Sequence, residues 1–343
     1  MPQIHLDVID TIVIQTLTQC GVSIKDAKII SDSILFAHRT GKGTHGISRL
    51  PIYVKKINNG SLNPTTEFSV VKDRKVVTVL DAENGFGQLA AHKAVELAME
   101  KAKEFGVGIV GVRNSNNFGT AAYFLNQAAA QNYISTIYSN SAPALAPWGG
   151  SKAVFGTNPI GYGFPVGEGK APILLDMATS FAARGKIRLA AKNNEKIPLG
   201  WALDQYGNPT DDANEALKGT LVPIGEHKGA GLSMIVDLFA GLLTGAGFAG
   251  DVLNLNTNGE YSRNGHFVMV LNIDFFMSQE EYQSKIDYLI SKIKEQQTTN
   301  TIKYPGESAF ENSKSNSEYV PISDKVVSEI NQLLTQLELN ISM

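Results

Sequence analysis

Three side chains of different chemistry follow a glycine-rich turn at four-residue intervals: His45, Arg49 and Tyr53, within Gly41-Lys42-Gly43-Thr44-His45-Gly46-Ile47-Ser48-Arg49-Leu50-Pro51-Ile52-Tyr53. An imidazole exchanges a proton near neutral pH. A guanidinium can grip a carboxylate through two parallel hydrogen bonds, and a phenol can donate one more. Together they could hold a carboxylate and move a proton beside it. If Thr44 opens a helix, the three lie on one face, because residues four apart are neighbours there. Pro51 opposes that placement by removing a backbone hydrogen bond, so the alternative is a helix that begins near Leu50 and leaves His45 in a loop. Taken singly, each residue has a plainer role. His45 would be a turn residue, Arg49 a helix-end ion pair of about 0–1 kcal/mol, and Tyr53 a side chain half-buried against a helical core.

The elements that must position this kit can be read from periodicity. The first 60 or so residues read as helices, with Ser23-x-x-Asp26 as a capping box before Ile30, Ile34 and Ala37. From Phe68 strands alternate with helices: strand Lys75 to Leu80, helix Leu89 to Phe105, strand Val107 to Val112, helix Thr120 to Asn132 and strand Ile134 to Ser139. That alternation predicts an α/β domain. A strand from Pro172 to Leu175 ends at Asp176, a helix follows around Phe181 to Lys192, and another strand spans His266 to Ile273. Leu232 to Phe248 is the most apolar run. With Asp237, Thr244 and several glycines inside it, the run reads as a buried helix and not as a membrane span. Ser278-x-x-Glu281 opens a helix with Tyr282, Ile286, Leu289, Ile290 and Ile293 on its apolar side, and Val326 to Leu337 repeats the pattern. Both are expected to pack with the amino-terminal helices. The expected domains are therefore residues 1–68, a helical part carrying the histidine; 69–277, an α/β part; and 278–343, helices returning to the first part.

Composition narrows the class. A chain of 343 residues with 43% hydrophobic content can bury a large interior. Thirty Lys and Arg against 33 Asp and Glu leave a net charge of −3, no electrostatic footprint for nucleic acid or an anionic membrane. The single cysteine, Cys20, excludes an internal disulfide and a thiolate zinc cluster and fits the reducing cytoplasm. Met1 to Asp10 has no apolar core for a signal peptide. The remaining histidines, His5, His38, His92 and His266, are read as structural, and no ligand spacing points to a metal.

Gly85-Phe86-Gly87-Gln88-Leu89-Ala90 matches G-x-G-x-x-A between a strand and a helix, the context of a dinucleotide-binding turn. The acid that should end the second strand is missing, and Arg113-Asn114 stands there instead. A tight strand-to-helix turn is the plainer reading, although Arg113 could meet a 2′-phosphate.

Thr44-His45-Gly46-Ile47-Ser48-Arg49, Arg113 to Gly119, Ala146-Pro147-Trp148-Gly149-Gly150, Gly156-Thr157-Asn158-Pro159, Asp176-Met177-Ala178-Thr179-Ser180 and His227-Lys228-Gly229 occur in this order. Together they resemble the malate/L-lactate dehydrogenase family of type 2, over about Ile4 to Glu307. That family also takes in sulfolactate and ureidoglycolate dehydrogenases, diketogulonate reductases and cyclic imine reductases. The resemblance implies an α/β fold with a non-Rossmann nicotinamide-cofactor domain on a mixed, largely antiparallel sheet. It also implies a helical domain formed by both chain ends, and a homodimer. It implies NAD or NADP as cofactor, with NAD slightly favoured, and a small 2-hydroxy acid and its 2-oxo acid as substrates, malate or lactate first. His45 would be the proton donor or acceptor, Asp176 its partner, and Arg49 the carboxylate clamp, with Tyr53 and Thr157 as further substrate contacts. Asp176, Met177, Ala178, Thr179, Ser180, His227, Lys228, Gly229 and Gly306 would meet the cofactor. Two features depart from the family pattern. Asn117 stands where many members carry a histidine, and Ser308 to Asn316 lacks the usual arginines. The first argues against a ureidoglycolate-type mechanism. The alternatives are a reductase of a diketo sugar acid or cyclic imine and, from another class, a non-catalytic nucleotide-binding protein.

Overall fold

The computed structural model describes residues 1–254, 259–296, 298–299 and 301–343. Strand β1 (Gln3–His5) leads into α1 (Leu6–Gln19) and α2 (Ile24–Arg39), and α3 (Leu50–Asn58) follows two short 3-10 turns. The capping box forms, with the Asp26 amide donating to Ser23 Oγ at 3.1 Å. Strands β2 (Ser69–Arg74) and β3 (Val77–Asp81) form a hairpin before α4 (Gly87–Phe105), β4 (Val107–Ser115), α5 (Ala121–Ala129), β5 (Tyr133–Ser139), β6 (Ile160–Phe164) and β7 (Ile173–Met177). Next come α6 (Arg184–Lys192), β8 (Ala202–Leu203), β9 (Pro209–Thr210), α7 (Ala213–Lys218) and β10 (Thr220–Leu221), in which the three short strands make a small sheet of their own. Helix α8 (His227–Val236), strand β11 (Asn264–Asn272), α9 (Gln279–Glu295), α10 (Glu307–Ser315), β12 (Tyr319–Pro321) and α11 (Asp324–Gln336) complete the chain.

One core joins both chain ends. Ile9, Ile12, Leu17, Ile30, Ile34 and Leu50 are buried with Val320, Ile330 and Leu334, while β1 pairs antiparallel with β12. Helix α9 does not take the expected place beside the amino-terminal helices. Its Tyr282 and Gln283 donate to the carbonyls of Pro165 and Val166, and Asp287 accepts from Lys170, so its polar side is held by the loop after β6.

The main sheet runs β2-β3-β4-β11-β5-β6-β7, with every pair antiparallel except β3 and β4. It is thus mixed and largely antiparallel, unlike the doubly wound parallel sheet of a Rossmann fold. Strand β6 escapes the periodicity because Gly161 and Gly163 interrupt it. Those glycines let α5 approach closely, since a Cβ at Gly161 would lie 2.9 Å from the side chains of Ile137 and Leu125. The turn at Gly85 is packed by the chain itself. A Cβ on Gly87 would stand 2.1 Å from the Asn116 carbonyl, and Arg113 is spent on Asp81 at 2.8 Å, which leaves no cradle for a pyrophosphate.

The run after Leu232 corrects its sequence reading. Helix α8 and the π-helical turn Asp237–Leu242 cover the sheet on one side only. Leu232, Met234, Ile235, Leu238, Leu242 and Leu243 remain exposed, Leu243 by 62%. An apolar surface all round predicts burial, and part of that burial finds no partner among the described residues.

At the centre of the sheet the fully buried His266 joins three adjacent strands, its Nδ1 2.9 Å from Ser139 Oγ and its Nε2 2.8 Å from Ser115 Oγ. Burial pushes its pKa down to about 3, and burial likewise lowers that of His38 to about 4. Both rings stay neutral in the fold while an unfolded chain protonates them near pH 6.5. The unfolded state therefore binds more protons as pH falls from about 6.5 toward about 4, and stability falls with it. Urea titrations between about pH 7.5 and about pH 5 should show a loss approaching ~1.4 kcal/mol per pH unit for each ring. A flat profile would mean that the rings are charged in the folded chain.

Candidate active site

Helix α2 ends at Arg39, and Gly41, with φ +78, turns the chain into the 3-10 turns Gly43–His45 and Ile47–Arg49. Pro51 sits in the first turn of α3, where a missing N–H breaks no helical bond. Of the two placements open from the sequence the second is formed: His45 stands in a tight turn, and no helix opened by Thr44 carries it. Arg49 Nε donates to the Thr44 carbonyl at 2.7 Å, which folds the guanidinium back over the histidine turn. Among the described residues nothing pairs with its terminal nitrogens. Thr44 Oγ1 lies 3.3 Å from His45 Nδ1.

Three charges act on the half-buried His45. Burial contributes most to lowering its pKa to about 4, the Arg49 guanidinium adds to the effect, Asp176 opposes it, and Lys42 lowers it further. At neutral pH the ring is therefore an uncharged base. The expected direct pairing with Asp176 is not formed. Asp176, near the end of β7, directs Oδ2 to Thr120 Oγ1 at 2.5 Å and to the Ala122 amide at 3.1 Å. It thereby caps the amino terminus of α5 from another element, and its charge reaches His45 through space.

Tyr53 separates from its two neighbours. It is 3% exposed, packs edge-on against Phe86 with ring centres 5.6 Å apart, and accepts a hydrogen bond from Gln88 Nε2 at 2.7 Å. That position in the helical core argues against the expected substrate contact. Thr157 places its hydroxyl 3.3 Å from Ser141 Oγ and its carbonyl under the Thr179 amide at 2.8 Å. No contact joins it to His45 or Arg49 among the described residues. Asn117 accepts from the Gly119 amide at 3.1 Å and so serves its own turn.

The stretch expected to meet the cofactor runs out of β7 through Met177 and Ala178 to Thr179 and Ser180. There the Ile224 amide donates to the Thr179 carbonyl at 2.9 Å and Ser180 bridges to Pro223. This pairing sets His227, Lys228 and Gly229, at the start of α8, just beyond Ser180. Gly229 has no room for a side chain, because a Cβ would meet the Ile224 carbonyl at 2.1 Å. His227 stands edge-on to Trp148 with ring centres 6.3 Å apart.

Asp176 also lines a cavity of about 900 Å³ with Phe36, Arg39, Lys42, Gly306 and Phe310. Two features at separate places fit a nucleotide: in the stretch after β7 Ser180 Oγ is buried with no hydrogen-bond partner, and at the cavity wall Gly306 presents bare backbone, where a Cβ would strike the Pro172 carbonyl at 2.6 Å. Met177 to Ser180 and His227 to Gly229 do not line this cavity.

Other contributors left little trace in the sequence. Thr120 holds Asp176 from 56 residues away, a pairing that no local pattern encodes. Lys56, 2% exposed, donates to Asn116 Oδ1 at 2.6 Å and to Ser262 Oγ, tying α3 to the loops beside the sheet. Burial lowers its pKa to about 8. Its only signal was the helical spacing from Arg49 and Tyr53.

Residues 4–331 match the family described as malate/L-lactate dehydrogenase. The malate dehydrogenase of Pyrococcus abyssi is 36% identical over 348 residues, covering 96% of this chain and 94% of that protein. Among solved structures, the sulfolactate dehydrogenase of Methanocaldococcus jannaschii superposes with a TM-score of 0.92 at 35% identity, over 99% of this chain and 98% of that one. The malate dehydrogenase of Pyrococcus horikoshii OT3 gives 0.89 at 33% identity, over 99% and 97%. Further relatives are named for NAD(+) or for NADP(+). The chain belongs to the malate/L-lactate dehydrogenase family and is an NAD(P)-dependent hydroxy-acid oxidoreductase.

Proposed function

We propose that the protein interconverts a small 2-hydroxy acid and its 2-oxo acid, malate and oxaloacetate first and lactate and pyruvate second. The observation that carries the reading is the placement of Arg49 over the histidine turn, its Nε on the Thr44 carbonyl and its terminal nitrogens pairing with nothing among the described residues, beside a His45 that burial keeps uncharged. Arg49 takes the carboxylate next to the reacting carbon through those nitrogens. His45 takes the hydroxyl proton at Nε2, since Nδ1 faces Thr44. The hydride chemistry would be supplied by a nicotinamide ring, as acceptor in this direction and donor in the other. A carboxylate seated on Arg49 offsets the repulsion that now lowers the His45 pKa, so substrate binding moves the ring toward the range where it also works as an acid. Asp176 reinforces that movement through space.

Asp176 to Ser180, Gly306 and His227 to Gly229 are the residues that would hold the nucleotide. NAD and NADP both suit this description, and NAD is our first choice because Ser308 to Asn316 offers no arginine for an extra phosphate. A second copy of the chain packs on the apolar face that α8 and the π-helical turn after it leave exposed, since exposed apolar patches mark subunit contacts. The lone half-buried Cys20 is in keeping with the cytoplasm. Among the described residues no helix is long and apolar enough to cross a membrane.

Replacing His45 with Ala should lower kcat by about 10²–10⁴-fold while the Kd for reduced nicotinamide nucleotide stays within about twofold. The check is nucleotide absorbance followed with oxaloacetate, pyruvate, a diketo acid and a cyclic imine; consumption with the imine alone would replace the hydroxy-acid reading, and wild-type turnover in the variant would end the role of His45. Arg49→Lys should raise KM for the 2-oxo acid by roughly 10–100-fold, because lysine lacks the planar fork. An unchanged KM would remove the clamp. Light scattering should give about twice the 37.0 kDa chain mass, and Leu242→Lys in the apolar face should halve it.

A further inference from the structure

His38 was expected to be structural, and its contacts give that role a specific target. It lies in the last turn of α2, 7% exposed, and its ring is the surface over which the catalytic turn is folded. The Ile47 amide donates to Nε2 at 2.9 Å. Gly46 passes so close to the ring that a Cβ there would stand 2.2 Å from Nε2 and 2.6 Å from Cδ2. On the other side, a Cβ at Gly43 would be 3.8 Å from Nδ1. The same imidazole thus bonds the 3-10 turn that opens at Ile47 and stands beside Gly43, the first residue of the one that ends at His45. Two backbone bonds complete the template: the Gly41 amide donates to the His38 carbonyl at 3.0 Å, and the Lys42 amide donates to Ala37 at 2.7 Å.

We propose that His38 is a positioning residue that sets the direction of His45 by accepting the Ile47 N–H at Nε2 while its flat ring receives Gly46. The inference rests on the reading of His45 as the proton-transfer group. Among the described residues no side chain from outside the turn bonds His45: Thr44 is its sequence neighbour, and Asp176 directs Oδ2 to Thr120 and Ala122. The register of the turn therefore depends on what its backbone leans on. The acceptor has a fixed tautomer: with Nε2 receiving a hydrogen bond, the ring proton resides on Nδ1. A misplacement of the order of 1 Å in a reacting group is worth up to ~10² in rate, so a buried ring that never meets substrate can still govern turnover.

The experiment compares two substitutions and the native ring. His38→Phe keeps a flat ring and removes the acceptor, leaving the Ile47 N–H buried and unpaired. His38→Gln places an oxygen close to where Nε2 stood. The expected result is a fall in kcat of about 10–100-fold for His38→Phe, with the Kd for reduced nicotinamide nucleotide within about twofold, and recovery to within about threefold of wild type in His38→Gln. Equal losses in the two variants would overturn the proposal, since ring volume and not the acceptor would then matter. Nitrogen-15 spectra of the unmodified protein near pH 7 should show His38 as the Nδ1–H tautomer; an Nε2–H tautomer would overturn the proposal even if His38→Phe failed to fold. His45→Ala is assayed alongside. If it is inactive while His38→Phe keeps wild-type kcat, the His38 proposal alone falls. If His45→Ala itself keeps wild-type turnover, the proton-transfer reading falls and takes this one with it.

Discussion

A carboxylate on a half-buried sheet edge must find donors or lose its charge, and Asp176 finds them at the start of α5. That single accommodation determines much of the rest. It locks the last strand of the sheet to a helix whose approach is possible only because Gly161 and Gly163 present no side chains. It also keeps a negative charge within reach of His45 without spending a hydrogen bond on it. Held at a distance, the charge offsets part of what burial and Arg49 impose on the ring.

How much of this could be read beforehand follows from whether a signal is local. The capping box at Ser23 and the strands β4, β5 and β11 were legible because periodicity and end chemistry sit within a dozen residues. That His45 and Arg49 stand close together was legible for the same reason. Strand β2 was not, since its residues are exposed and include Lys72, Asp73 and Arg74, and β6 was obscured by its glycines. The link from Thr120 to Asp176 and the buried seat of Lys56 arise only when distant segments meet. Helix α8 was misjudged for another reason. An evenly apolar sequence says that a surface will be covered, and does not say by which chain.

The three members of the opening kit turned out to do different things. Arg49 and His45 share one turn, with the guanidinium bound to the Thr44 carbonyl. Tyr53 follows at the same interval yet points into the helical core, because the 3-10 turns and Pro51 break the geometry that would have aligned the three. Spacing located the residues, and the break in the helix decided which of them share the histidine turn and which enters the core. Between the alternatives weighed for this chain, a dehydrogenase is favoured over a non-catalytic nucleotide-binding protein because His45, Arg49 and Asp176 remain electrostatically coupled, a coupling that nucleotide binding alone does not call for.

The core that supports α3 is closed by residues from the far end of the chain, with β1 paired to β12 and Ile9 and Ile30 buried beside Ile330 and Leu334. Contacts that span more than 300 residues are costly in loop-closure entropy and form late. Within the main sheet only β2-β3 and β5-β6-β7 pair near neighbours, whereas β11 enters between β4 and β5 from far downstream. During synthesis the β5-β6-β7 edge that carries Asp176 can thus be in place while the turn that bears His45 still lacks its support. The active site is completed last, by a segment that contributes no reacting group to it.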